Sequence, residues 1–395
     1  MKELSRVASK VVASSTLAVD SLAKQMLAEG KDVISFGPGE PDFDTPENIK
    51  QTAVAALAAG QTKYTPATGL LDLRKAIAAR LNKDFSISYD PAQIVVASGA
   101  KHSVYLTMKT LLNPGDEVIV PAPYWVTYCE VVKMAGGMPV VVDGGQDQNF
   151  KITPQQLKAA VTPKTKLFLI NNPSNPTGMI YNGSELKALC DICVENDLYI
   201  LSDEIYYHLV YEGEFVSVAS LGEKIKERTI IINGVSKGYA MTGWRIGYSA
   251  SNSEIAKVMG NYVSHSTGGP STVSQISSIE ALNGDQSSVY KMVAAFKERR
   301  DYICKRVANI DGISCLTPQG AFYIMVDIST LFGKTLGGKL IENCDDFAMA
   351  LLGNAHVAVV PGSGFGAPNF VRLSYATSME KISKGMDRLE QFLKG

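Results

Sequence analysis

Histidine and cysteine are scarce in this chain, and neither sign of charge prevails. Four histidines occur in 395 residues, none in an HExxH spacing, so a helix-borne catalytic zinc has no ligand set. Six cysteines in a chain this long do not make a disulfide framework. The closest pair, Cys190 and Cys193, has redox or zinc spacing, but no second CxxC completes a four-thiolate site. Both fall on the apolar stripe of a helix, and buried free thiols are the better reading. Lysine plus arginine total 38 against 39 acidic residues, a net charge of −1, which offers no basic field for nucleic acid and no acidic tail. The opening MKELSRVASKVVASS lacks the apolar stretch of a signal peptide. No uncharged apolar run approaches the ~18 residues of a membrane span. The expectation is a soluble, cytoplasmic protein without a nucleic-acid or membrane partner.

What is present is the composition of an ordinary globular protein, 46% hydrophobic and 19% charged. At ~150 residues per domain the length suggests two or three units. No internal repeat recurs and no Pro- or Ser-rich linker splits the chain. From about residue 90 to 250, apolar β-rich runs alternate with helical patterns, the signature of a mostly parallel sheet covered by helices. Strands are expected at Ile94–Ala97, Val118–Val120, Leu167–Ile170, Leu198–Leu201 and Ile230–Ile232. Helices are expected over His102–Leu112 and, after the capping box of Asn182 and Glu185, through Cys193. Beyond about 285 a long charged helix, Tyr290–Val307, leads into strands Phe322–Val326 and Phe370–Tyr375 and a last amphipathic helix. That region reads as a smaller α+β unit that also takes in the N-terminal segment.

Ligands of open α/β sheets sit beyond the carboxyl ends of the strands. After Ala97 come Ser98-Gly99-Ala100-Lys101, small residues opening a helix, a weak signal for a phosphate cradle. After Ile170, Asn171-Asn172-Pro173-Ser174-Asn175-Pro176-Thr177-Gly178 is a stiff loop presenting amides, or an ordinary turn. After Leu201 come Ser202-Asp203-Glu204-Ile205-Tyr206, where an acid adjoining buried residues requires a cationic partner. After Ile232, Ser236-Lys237 puts an amine on the same rim. An amine, a carboxylate, a phenol, an amide and an anion cradle on one edge are what pyridoxal phosphate requires. A lysine forms a Schiff base with it, and an acid pairs with its ring nitrogen.

With FGPGEPDFDTP (36–46), KYTPATG (63–69), PAPYW (121–125), NPSNPTG (172–178), SDEIY (202–206), SKGYAMTGWRIGY (236–248) and VRLSYA (371–376), nearly the whole chain resembles the fold-type I pyridoxal-phosphate aminotransferases of class I, in particular the prokaryotic aspartate aminotransferases. The resemblance implies an α/β fold with a large mostly parallel-sheet domain, 46–285, and a smaller α+β domain, 1–45 plus 286–395. It implies that Lys237 forms the Schiff base, that Asp203 pairs with the pyridine nitrogen, and that Tyr206 and Asn175 bond the cofactor's phenolate oxygen. Gly99, Ala100, Ser236 and Arg245, with Lys101 beside them, match the phosphate side. Tyr64 matches a phosphate-binding tyrosine that crosses from the other subunit, hence a homodimer. Trp125 matches the aromatic stacked on the ring, Arg372 the anchor of the substrate α-carboxylate, and Gly39 a backbone contact to substrate. Unaided by the resemblance, Arg372 reads as an exposed strand residue as readily as a ligand, although a planar guanidinium suits a carboxylate.

Specificity follows from the same source. Lys101, with hydroxyls near the N-terminus that Ser15 and Thr16 fit, matches the group that holds a distal carboxylate. The implied reaction is transfer of the amino group of L-aspartate to 2-oxoglutarate, giving oxaloacetate and L-glutamate. Members that accept prephenate carry a basic residue four positions before Thr16; here that position is Val12, with Lys10 out of register, so prephenate activity should be weak or absent. Other specificities, or a lyase of the same fold, are the rivals. A hydrolase is the distant one: Gly234-Val235-Ser236-Lys237-Gly238 is a literal GxSxG with Asp327 and His356 following in order, but Tyr239–Ala250 does not read as the helix an elbow should feed. Gly362-Ser363-Gly364-Phe365-Gly366 has the wrong spacing and place for a dinucleotide fingerprint. No metal is expected.

Overall fold

The apolar runs between residues 94 and 250 assemble into one seven-stranded sheet: β1 (Ile94–Ala97), β2 (Glu117–Ala122), β3 (Met138–Asp143), β4 (Thr165–Asn171), β5 (Tyr199–Asp203), β6 (Thr229–Gly234) and β7 (Gly247–Ala250). The computed structural model describes residues 4, 5, 9, 11 and 16–395. The spatial order is β1-β7-β6-β5-β4-β2-β3. Neighbours from β6 through β3 run parallel, and β7 alone is antiparallel to both strands beside it. Strands β1, β6 and β7 are buried along their whole length. The Val and Ile runs of β1 and β6, unlike the Gly-Tyr-Ser-Ala of the antiparallel β7, are the continuous apolar pattern that a sheet covered on both faces requires.

Several element ends differ from the sequence reading by a residue or more, two of them for a plain cause. Strand β5 runs on through Ser202 and Asp203, because Ser202 pairs in register with Ile170 and Ile231, and Asp203 with Asn171 and Ile232. Ladder pairing thus overrides the polar side chains. The helix after β1 begins at Ala100, not His102, since Gly99 at φ +88° is its last non-helical residue. The long helix spans Ser287–Ala308. The capping box is formed as read: Asn182 Oδ1 accepts from the Glu185 amide at 2.9 Å, and Glu185 accepts from the Asn182 amide at 2.7 Å. Cys190 and Cys193 are buried free thiols in the helix Gly183–Glu195. Among the described residues no cluster of His, Cys, Asp or Glu could hold a metal ion, and no helix is long and apolar enough to cross a membrane.

A second, antiparallel sheet comprises β8 (Ser314–Cys315), β9 (Tyr323–Asp327), β10 (Val360–Pro361) and β11 (Phe370–Ser374), in the order β10-β11-β9-β8. Ile34–Ser35 pairs in parallel with Val357–Ala358. Val19, Ala23 and Phe36 join one buried cluster with Phe296, Phe322, Phe347, Leu351 and Phe392. The N-terminal segment thereby packs with the C-terminal third of the chain.

Gly247 shows how tightly the site edge is built. A Cβ there would lie 2.1 Å from the Ala100 nitrogen and 2.3 Å from the Gly99 carbonyl carbon. Both are backbone atoms that cannot rotate aside. Gly247→Ala should therefore lower stability by about 3 kcal/mol, the upper range for an overpacked site, read as an earlier urea midpoint. An unchanged midpoint would show that the turn after β1 is free to move.

Candidate active site

Because β1, β2, β4, β5 and β6 point the same way, the residues after them emerge on one edge. A cavity of about 440 Å³ opens there, lined by Ala100 and Lys101 after β1, Trp125 and Tyr128 after β2, and Asn171 and Asn175 after β4. Asp203 and Tyr206 follow from β5, and Ser236, Lys237 and Arg245 from β6 and the turn before β7. The opposite wall is Gly37–Gly39, Val19, Tyr323, Ala358–Val360, Phe365 and Arg372.

Lys237 is partly buried, and its Nζ donates to the Gly39 carbonyl oxygen. Burial pushes its amine down to about 8; Glu40 and Asp203 oppose that shift, while Arg372 and Arg245 add to it. Asp203 is 3% exposed and its carboxyl is pushed up to about 6 by burial. The Tyr128 hydroxyl, donating to Asp203 Oδ2 at 2.7 Å, and the Ile205 amide, donating to Oδ1 at 3.2 Å, work against that rise, as does Lys237. Arg372, on β11, is 6% exposed. It donates from Nη1 to Asn175 Oδ1 at 3.1 Å and from Nη2 to the Gly37 carbonyl at 2.9 Å, while its Nε has no partner. A buried guanidinium with donors to spare is ready for a carboxylate.

The anion side has a different character. Arg245 is exposed, sits at φ +57°, and donates to the carbonyls of Thr242 (2.9 Å) and Ser98 (3.3 Å). Its guanidinium lies against Gly99, where a Cβ would come within 2.4 Å of Nη2. Gly99 thus lets a cation, the free amides opening the helix Ala100–Leu111 and the Ser236 hydroxyl converge, a combination suited to a phosphate. Lys101 Nζ stands 5.0 Å over the Trp125 ring at the mouth of the cavity.

Not every anticipated residue arrives. Tyr64 is fully exposed and lies in a separate groove with Thr62, Lys63, Thr65 and Thr267–Val273. Thr16 opens the helix Thr16–Ala28, while Ser15, Val12 and Lys10 lie outside the described residues. The hydrolase alternative fails on geometry. After Ser236 the chain makes a turn and a short 3-10 segment, Thr242–Trp244, rather than a helix, and neither Asp327 nor His356 lines the cavity. Tyr128 and Tyr323 were missed by sequence reasoning, and Asn171 was read only as part of a loop presenting amides. Asn171 donates to the Asp203 carbonyl at 2.9 Å and accepts from the Asn175 amide at 2.7 Å. For Tyr128 a faint signal existed, since it lies three residues past Trp125.

Comparison with known proteins follows this geometry. Residues 31–389 match the family model for aminotransferases of class I and II. The aspartate aminotransferase of Geobacillus stearothermophilus is 48% identical, over 100% of this chain and 99% of that protein. The aspartate/prephenate aminotransferase of Cereibacter sphaeroides is 45% identical over 100% of both. Among solved structures, the aspartate aminotransferase of Rhizobium meliloti superimposes with a TM-score of 0.96 at 40% identity, covering 100% of this chain and 99% of that one. The Thermus thermophilus aspartate aminotransferase with maleate gives 0.94 at 39% identity, covering 99% and 100%.

The neighbour of Asp203 generates a pH prediction. Glu204 is fully buried; its Oε1 accepts from the hydroxyls of Ser202 and Ser217 at 2.9 Å and the Val218 amide at 3.2 Å, and its Oε2 has no partner. Burial pushes its carboxyl up from 4.5 to about 7. A carboxyl raised on folding favours the folded state while protonated, and that contribution is lost as pH climbs from 4.5 through about 7. Glu204→Gln, which mimics the protonated acid, should match the wild type in stability near pH 4.5 and exceed it by up to ~3 kcal/mol near pH 8.5. Chemical denaturation at both pH values checks this; a variant that is less stable at the higher pH contradicts it.

Proposed function

The chain belongs to the class I and II aminotransferases and is an aminotransferase; from that premise we propose that it moves the amino group of L-aspartate to 2-oxoglutarate, using pyridoxal 5'-phosphate, as a homodimer. The observation that carries this reading is one cavity that holds a depressed amine, a buried carboxyl and a buried guanidinium with a spare donor. The donor set fits the cofactor at both ends, with the Gly99–Arg245 cradle for a phosphate and Asp203, backed by Tyr128, for a cationic ring nitrogen. When bound, pyridoxal phosphate supplies an aldehyde that condenses with amines and a ring that accepts the electron pair left on the substrate's α-carbon.

The chain's own residues do the rest. Ser236, Arg245 and the amides of Gly99 and Ala100 hold the phosphate. Asp203 would keep a proton on the ring nitrogen, and its own carboxyl, pushed up to about 6 by burial, would become more acidic beside that added positive charge. Trp125, Asn175 and Tyr206 line the same cavity, where Trp125 would pack against the ring and Asn175 and Tyr206 would donate to its oxygen. Arg372 holds the substrate α-carboxylate, with Gly39 beside it. Lys237 Nζ would take the substrate α-proton as general base and hold it for return; an amine pushed down to about 8 is free base for part of its time near neutral pH. The proposed division into 46–285 and 1–45 plus 286–395 puts the base on one unit and the carboxylate anchor on the other.

Dicarboxylate specificity rests on Lys101, a further cation on the same cavity; Ser15, which lies outside the described residues, and Thr16 are proposed to add hydroxyls on the strength of the sequence match alone. The Geobacillus relative is named for aspartate, and the Thermus structure was solved with maleate, a four-carbon dicarboxylate. Val12, in place of a basic residue, keeps our expectation that prephenate activity is weak or absent, even though some relatives are named for both substrates. Tyr64, exposed and remote from its own cavity, suits a reach into the site of a second copy.

Two substitutions test the reading. Lys237→Ala should lose turnover by at least ~10³-fold, since proton transfer has no other base, while still binding the cofactor non-covalently. Near-normal transamination would remove Lys237 from its role. Lys101→Ala should lose ten- to hundredfold in kcat/KM for aspartate, roughly the cost of an unpaired charged partner, with alanine and phenylalanine little changed. An equal loss for all three, or a wild type that prefers a neutral amino acid, would refute the acidic-substrate claim and leave the aminotransferase standing.

A further inference from the structure

Three anticipated site residues meet on one side chain that has been given no role so far. Tyr323, on β9, is 1% exposed and reaches the cavity. Its hydroxyl lies 2.9 Å from the Tyr206 hydroxyl, and either oxygen can donate. Its ring carries the Arg372 guanidinium, with Cζ 4.4 Å from the ring centroid. At Gly39, a Cβ would come within 2.9 Å of the Tyr323 hydroxyl oxygen, so only glycine leaves that oxygen its place. The β9–β11 register explains the convergence. Tyr323 pairs with Ser374 and Met325 with Arg372, so Tyr323 and Arg372 are diagonal neighbours on one face.

We infer that Tyr323 is a positioning residue of the transamination site: its hydroxyl directs the proton of the Tyr206 hydroxyl, and its ring face sets the plane of the Arg372 guanidinium. This rests on the cofactor reading above. A phenol has one proton and two acceptor lone pairs. If Tyr206 donates to a cofactor oxygen it has no proton left for Tyr323, so Tyr323 must reverse and donate to Tyr206. The two hydroxyls then form a chain in which each bond polarises the next, and Tyr206 becomes the stronger donor. At the other end, a desolvated guanidinium lying over an aromatic face keeps one orientation, with its edge toward the substrate carboxylate. One side chain thus couples the cofactor's ring oxygen to the substrate's anchor.

The test uses enzyme loaded with pyridoxal phosphate and reads two quantities: the pH midpoint of the cofactor's visible absorbance, and KM for aspartate. Donation to a negatively charged oxygen favours loss of the proton, so weaker donation raises the midpoint. Tyr323→Phe keeps the ring and removes the hydroxyl; the midpoint should rise by about half a unit, as expected for losing one supporting hydrogen bond, with KM for aspartate within about twofold of wild type. In a Tyr206→Phe background the same substitution should leave the midpoint unmoved, because the relay it feeds is gone. Tyr323→Leu should raise KM for aspartate about tenfold beyond the Phe variant, through loss of the ring under Arg372. Should the Leu variant fail to fold, the Phe variant and the double variant decide the relay, and a KM that rises about tenfold in Tyr323→Phe overturns the ring's separate role. A Phe midpoint equal to wild type, or an equal shift in both backgrounds, overturns the inference. A wild type that carries no titrating visible band overturns the cofactor reading and the inference with it, an outcome distinct from the others.

Discussion

Parallel pairing of adjacent strands is the constraint on which the site depends. Since β2, β4, β5 and β6 point the same way, the chain must emerge from each on one edge, however far apart the segments lie in sequence. Asn171, Asp203 and Lys237 are neighbours for this reason alone. The antiparallel β7 closes the arrangement, because its glycine lets the turn after β1 press against it and bring Gly99 to Arg245. Anion cradle, acid and amine are consequences of one sheet.

The electrostatics of the cavity follow from burial with incomplete pairing. Asp203 carries a carboxyl moved up and Lys237 an amine moved down, both mainly by desolvation. Arg372 keeps an unpaired Nε in a buried position. Groups left in that state are costly to the folded chain unless a ligand of complementary charge arrives. A cofactor with a cationic ring nitrogen, an anionic phosphate and an amino-acid carboxylate beside it answers each of them.

The wall facing the sheet is assembled from the two ends of the chain. Gly37 and Gly39 arrive from the N-terminal segment, Tyr323 and Arg372 from the antiparallel sheet, and the backbone carbonyls of Gly39 and Gly37 accept from Lys237 and Arg372. Because Lys237 and Arg372 are each tied to this short segment, movement of it relative to the large sheet would shift both side chains together. Tyr323 adds a further tie, from Arg372 to Tyr206.

The local part of this was legible from residues alone. A buried apolar run followed by an acid, or by Ser-Lys, marks a strand end with chemistry on it, and the family motifs fall on those turns. Composition and patterning also showed a mostly parallel sheet, since strands buried on both faces must be apolar throughout. Tyr128 and Tyr323 could not be read in the same way. They meet Asp203 and Tyr206 across 75 and 117 residues of chain, and no local period distinguishes a tyrosine facing a cavity from one facing the core. Phe322 and Tyr323 are consecutive, and both are buried. Only the pairing of β9 with β11 decides that Tyr323 takes the cavity face, beneath the guanidinium that a strand sequence by itself leaves as readily in solvent.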